Sequence, residues 1–278
     1  MKTYIVATDL SARADRAFRR AFSLAREHGA RLIAVSVVDD TLPDAIAARL
    51  SAEMVSELDR LCEADADSGK VDYETRVLLG VPSKTIAELA REEKADLLIL
   101  GIHRPRPFAD TVRDTTMQRI IRLANCPVLL VRDPATKPYQ TVLATVDFSP
   151  ACAAAMKAAH KVAPKAKLVG VHALHIPYDG FLPAGGDVQF RAEAEAALTE
   201  WREAQKIPES LGTFSIDTGV LNEVISAAIA EHRPDLIAAG AHARAGLVRY
   251  FLGSFTTRLL HDPPCDVLVA PPPPRVER

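Results

Sequence analysis

The chain has 278 residues, 48% hydrophobic and 25% charged, with a formal net charge of -2, a length that accommodates about two ordinary domains and a balance typical of soluble globular proteins. That charge creates no field favouring nucleic acid or an anionic membrane, and neither partner is expected. No apolar run approaches the roughly 20 residues of a membrane span, and the first expected strand begins by Thr3, which leaves no room for a signal peptide, so a cytoplasmic location is expected.

In chain order, short apolar runs alternate with segments of helical period. Strands are expected near 3–8, 31–38, 73–79, 96–101 and 127–132 in the first half, and near 141–146, 167–173, 212–217, 235–240 and 266–270 in the second. Between them, Ala14, Ala17, Phe18, Ala21 and Ala25 fall at helical spacing, as do Ala155, Ala159 and Val162. Ser11 and Ser149 suit the N-caps of the following helices, with Pro150 at a first helical position where its missing N–H costs nothing. Such a β-α-β-α order builds an α/β fold, a parallel sheet with helices on both faces. The polar, proline-bearing stretch 133–138 reads as a linker, giving domains over 1–134 and 139–273, and the proline run 271–274 ends regular structure. The stretch 175–186 is the longest irregular run inside a domain, and reads either as a lid or docking surface or as a plain surface excursion. The four cysteines, Cys62, Cys126, Cys152 and Cys265, are expected as buried thiols rather than disulfides.

The two halves repeat one another. TYIVATDLS from Thr3 returns as TVLATVDFS from Thr141, and ADLLILGIH from Ala95 returns as PDLIAAGAH from Pro234. Asp9 therefore matches Asp147 and Gly101 matches Gly240, at a nearly constant offset, which means two copies of one domain. Each functional residue has an internal sibling.

In the second copy, Asp147 stands where the first strand should turn into a helix. Gly240, His242, Ala243, Arg244 and Gly246 follow the fourth strand, and Gly253 and Ser254 open the next helix. Small residues let a backbone approach a phosphate, and a helix N-terminus offers N–H groups and the positive end of a dipole. Ser254 would add a hydroxyl donor and cap that helix, while Asp147 could accept from a ribose hydroxyl or hold a divalent metal. These groups meet only if strands one and four are neighbours, where a reversal of connection direction opens a crevice.

The strand-one aspartate, the spacing of Gly240, His242, Ala243, Gly253 and Ser254, and the closing CDVLV strand resemble the universal stress proteins, over both halves and in tandem. The resemblance implies two doubly wound five-stranded parallel sheets of strand order 3-2-1-4-5, similar to the adenine nucleotide alpha hydrolases. It implies ATP with magnesium bound in the C-terminal domain, with Asp147 at the ribose and metal, the backbone near Ala173 at adenine, and Gly240, His242, Gly253 and Ser254 around the phosphates. Ala243 replaces one glycine of the family motif. In the first copy Asp114 and Thr115 stand where glycine and serine should be, and an aspartate there repels phosphate. That copy reads as disabled for nucleotide, with Arg104, Arg106 and Arg113 either anion contacts or solvated surface.

A histidine in a glycine-rich loop also serves simply to bond the backbone, and His103 persists in the disabled copy, which favours that role for His242. His172 and His175, or His261 and Cys265, have spacings known from zinc sites, but His172 and His175 point to opposite faces of an extended strand, and no metal beyond magnesium is expected. No nucleophile-base set is visible, so activity is at most a weak ATPase. The function expected is a stress-response regulator binding adenine nucleotide; the alternative is a nucleotide-independent scaffold acting through protein contacts. The domains are expected to pair through their last strands, residues 128–131 and 267–270, as single-domain members pair in dimers. Whether two chains associate further is left open.

Overall fold

A computed structural model describes residues 1–11, 14–65, 70–102, 115–176, 187–243 and 250–272, and the statements below concern these residues. The chain divides into two units. The first is built on Met1–Lys137 and also takes in Leu260–Val267, and the second is built on Pro138–Ala243 with Leu252–Leu259 and the chain from Leu268.

The first unit runs β1 (Thr3–Ala7), α1 (Ala14–His28), β2 (Arg31–Val38), α2 (Asp44–Asp65), β3 (Tyr73–Leu79), α3 (Pro82–Glu92), β4 (Leu97–Gly101), α4 (Thr116–Leu123) and β5 (Val128–Val131). Its strands lie parallel in the order β3-β2-β1-β4-β5. The central strands are covered on both faces, so their sequences are continuous apolar runs rather than alternating ones. Ile5, Leu32, Ile33, Leu98 and Ile99 are fully buried accordingly. The edge strand β3 is only half-buried and carries Glu74 and Arg76, charges that discourage pairing with another chain.

The second repeat gives β6 (Thr141–Thr145), α5 (Pro150–Val162), β7 (Lys167–Leu174), α6 (Asp187–Ala204), β8 (Thr213–Thr218), α7 (Leu221–His232) and β9 (Leu236–Gly240). There follow two-residue strands β10 (His242–Ala243) and β11 (Tyr250–Phe251), then α8 (Ser254–His261) and β12 (Asp266–Ala270). In the second unit the order is β8-β7-β6-β9, with β12 beside β9, where Ala241 N donates to Ala270 O at 2.9 Å. Both repeats thus have the order 3-2-1-4-5. Leu143, Met156 and Ile225 fill the core between sheet and helices.

The repeated aspartate of the second motif has a structural use. Asp96 accepts from Thr3 N at 2.9 Å, and Asp235 accepts from Thr141 N at 3.0 Å, so in each repeat this carboxylate pins the start of the first strand to the fourth. All four cysteines are buried thiols outside any disulfide, as expected. Burial above all pushes Cys126 up to about 12. No described helix is long and apolar enough to cross a membrane.

Candidate functional site

β6 lies between β7 and β9, and the chain leaves its neighbours in opposite directions, so a crevice opens at the carboxyl ends of these strands. The adjacency of strands one and four that the sequence argument required is present. Asp147 follows β6, Gly240 ends β9 and Gly253 precedes α8, which places all three at that end of the second sheet.

The turn after β6 has a defined geometry. Asp147 Oδ1 accepts from Ser149 N at 3.0 Å, and Phe148 between them sits at φ 59°. The first repeat does the same, with Ser11 N donating to Asp9 Oδ1 at 3.0 Å and Leu10 at φ 58°. A left-handed backbone at a bulky residue costs on the order of 1–3 kcal/mol, and both repeats accept it to turn an exposed carboxylate out at the strand end. Ser149 caps α5 by accepting from Cys152 N at 3.2 Å, with Pro150 first in the helix, as the sequence indicated. The matching cap expected at Ser11 depends on residues 12–13, which lie outside the described ones. Burial first, then the Asp147 charge, pushes the Cys152 thiol up to about 12, so it is no nucleophile at neutral pH.

Ala173 lies inside β7, one residue before its end, rather than after the strand. Val171 O accepts from Val146 N and Leu174 O accepts from Gly219 N. In a parallel ladder alternate residues serve opposite neighbours, so Ala173 turns its backbone groups to the β6 side, past the point where β6 has ended. That is the crevice side.

Gly240 is glycine for packing. A Cβ there would lie 2.7 Å from Ala151 C and Cys152 N, so its absence seats α5 on the end of β9. At Gly253 an added Cβ would meet nothing within 4 Å. Gly253, not Ser254, occupies the cap position of α8: its carbonyl accepts from Thr257 N at 2.9 Å, and the exposed Ser254 is the first helical residue. This corrects the expectation that Ser254 caps the helix. In the first repeat the matching helix is closed by its own residues. Thr115 accepts from Gln118 N at 3.2 Å and its N–H donates to Gln118 Oε1 at 3.0 Å, a reciprocal cap that occupies the N-terminus a phosphate would use.

His242 and Ala243 form β10, and their side chains are not among the described ones. Arg244, Gly246, the first-repeat residues His103, Arg104, Arg106, Arg113 and Asp114, and residues 177–186 lie outside the described residues. His175 is exposed just beyond β7. Among the described residues no group of three or more His, Cys, Asp or Glu could hold a metal.

Sequence reasoning missed an aromatic cluster beside Asp147. The Phe148 ring stacks on His172 at 4.2 Å, and Trp201 lies 6.0 Å from Phe148 and donates to Ser149 O at 3.0 Å. His172 Nδ1 donates to Val146 O at 2.8 Å, as the sibling Ser36 donates to Thr8 O at 2.8 Å, so the histidine fixes the end of β6. The Asp-Phe-Ser repeat hinted at Phe148. Nothing local pointed to Trp201, which arrives from α6.

The profile described as the Universal stress protein family matches residues 1–132 and again residues 138–271. A universal stress protein of Methanocaldococcus jannaschii is 30% identical over 141 residues, covering 48% of this chain and 83% of that protein. One of Thermus aquaticus is 33% identical over 136 residues, covering 47% of this chain and 98% of that protein. The crystal structure of a universal stress protein from Archaeoglobus fulgidus superposes with a TM-score of 0.70 at 17% identity, covering 97% of this chain and 98% of that one, which shows the same fold.

Proposed function

The chain belongs to the Universal stress protein family as a tandem two-domain member, and on that premise we propose that its second unit binds ATP with magnesium at the carboxyl ends of β6, β7 and β9, as a nucleotide-responsive regulator. Asp147 would meet the ribose and the metal, the backbone of Ala173 the adenine, and Gly240, His242, Ala243, Arg244, Gly246, Gly253 and Ser254 would form the phosphate wall. The bound magnesium would neutralise phosphate charge. The chain's own residues position the nucleotide.

The observation that carries this reading is the contrast between the two helix N-termini. The space beside Gly253 is open, whereas Thr115 and Gln118 close the sibling helix. An open N-terminus suits an anion, so nucleotide is assigned to one unit only. Ala243, which adds a methyl where the family motif has glycine, favours a second reading, a scaffold that works without nucleotide.

Calorimetry with ATP-magnesium on the parent chain and on Gly253→Asp separates the two. A carboxylate at position 253 enters open space, so it perturbs charge rather than packing. Binding by the parent that the substitution abolishes is the expected result. No binding by the parent would leave the scaffold.

A further inference from the structure

A cavity of about 540 Å³ lies in the second unit between β8 and α7. One wall is Thr213, Ser215 and Asp217, which alternate onto one face of β8; the other is Glu223, Ala227 and Glu231, which stack at four-residue spacing on α7. None of the residues lining it belongs to the crevice assigned to nucleotide.

The first unit shows the same place filled. The repeats stay in register without a gap: Ile33 pairs with Glu74 as Val169 pairs with Thr213. Gly80 and Gly219 have φ 150° and 148°. Asp96 and Asp235 then take the same strand amide. Between these anchors, Arg76 bridges Glu74 and Glu93, lying 2.7 Å from Glu93, and Arg31 reaches the same two carboxylates at 2.5 and 3.2 Å. Four charged side chains tie strand to helix.

In the second unit Glu74, Arg76 and Glu93 become Thr213, Ser215 and His232, while Glu88 and Leu89 become Ala227 and Ala228. Lys167 stands in the register position of Arg31 and His232 is as large as Glu93, but the other four replacements are smaller, and the bridge becomes a groove. His232 is the one basic side chain among the residues lining it, with its Nδ1 3.9 Å from the exposed Glu231 carboxylate.

What remains defines a ligand. Eight residues of helix set Glu223 and Glu231 about 12 Å apart along the axis. Asp217 lies at the Glu223 end, because the turn at Gly219 joins the end of β8 to the start of α7. Between the two anionic ends the floor is Val169, Val224 and Ala228. We propose that this groove binds a linear aliphatic polyamine, with an ammonium at each end and its methylenes on the apolar floor. A metal ion would leave the floor unused, and a single lysine or arginine side chain would satisfy one end only.

Calorimetric titration of the whole protein with spermidine tests this. The expected result is a saturable one-to-one isotherm, weakened about tenfold or more by Asp217→Asn with Glu231→Gln, and likewise by Ala228→Leu, which refills the floor as Leu89 does. The amide variant changes exposed side chains only and keeps its fold, so it decides the matter even where Ala228→Leu melts early. Binding that never saturates, or that is equal in parent and variants, would overturn the proposal. Capture of a lysine-rich peptide with no spermidine isotherm would also overturn it, and would identify a protein-docking surface instead.

Discussion

Replacing Asp266 by alanine is expected to destabilise the first unit more than any surface change. The carboxylate is fully buried; Oδ1 accepts from Arg132 N at 2.7 Å and Asp133 N at 3.0 Å, and Oδ2 lies 3.5 Å from Arg20 Nε, itself nearly buried. Truncation removes the acceptor from two backbone amides and the counter-charge from a guanidinium that keeps its bond to Lys137 O. Breaking a buried pair from one side costs about 3–5 kcal/mol, and for a unit of this size that lowers Tm by roughly 6–20 °C. Because the two units need not unfold together, scanning calorimetry should be read with hydrogen exchange that assigns a transition to β5. Asp266→Asn keeps an oxygen for both amides and should lose less. Adding Arg20→Met to Asp266→Asn should recover part of the loss, since it removes the buried cation that faced the carboxylate. A Tm within about 2 °C of the parent for Asp266→Ala, or strict additivity of the Arg20 and Asp266 changes, would refute the reasoning.

Gly240→Ala places a methyl against the first turn of α5 and should cost about 1–3 kcal/mol through overpacking, readable as a lower denaturant midpoint. High pH should be destabilising. Burial above all raises Tyr4, Cys126 and Cys152 to about 12 from ordinary values of 10.0, 9.0 and 9.0. The unfolded chain therefore releases these protons first, and stability present below pH 9 falls as pH rises from about 9 towards 12; a Tm that stays flat across that window would contradict this. The same burial predicts that Cys126 and Cys152 resist a thiol reagent at pH 8 until the chain is denatured, when both should react within the mixing time of the assay.

Much of this protein could be read before folding. The strand positions, the parallel sheet and the tandem copies follow from apolar runs, helical spacing and a nearly constant offset, because central strands buried on both faces must be apolar throughout. The Asp147 turn and the Ser149 cap followed from local chemistry within three residues, for which the sequence is sufficient. What the sequence left undivided was function from packing among residues of one motif. Gly240 and Gly253 looked alike, yet one glycine seats a helix and the other faces open space. Asp96 and Asp235, repeated as faithfully as Asp9 and Asp147, pin the start of a strand. The closed helix start at Thr115, Trp201 reaching Ser149 from α6, and the groove left where Thr213 and Ser215 replace Glu74 and Arg76 depend on groups brought together from distant parts of the chain. A sequence determines periodicity and local hydrogen bonding, since those are decided between near neighbours. Which side chain fills a space, and which space stays open, is decided only when the sheet sets separate segments side by side.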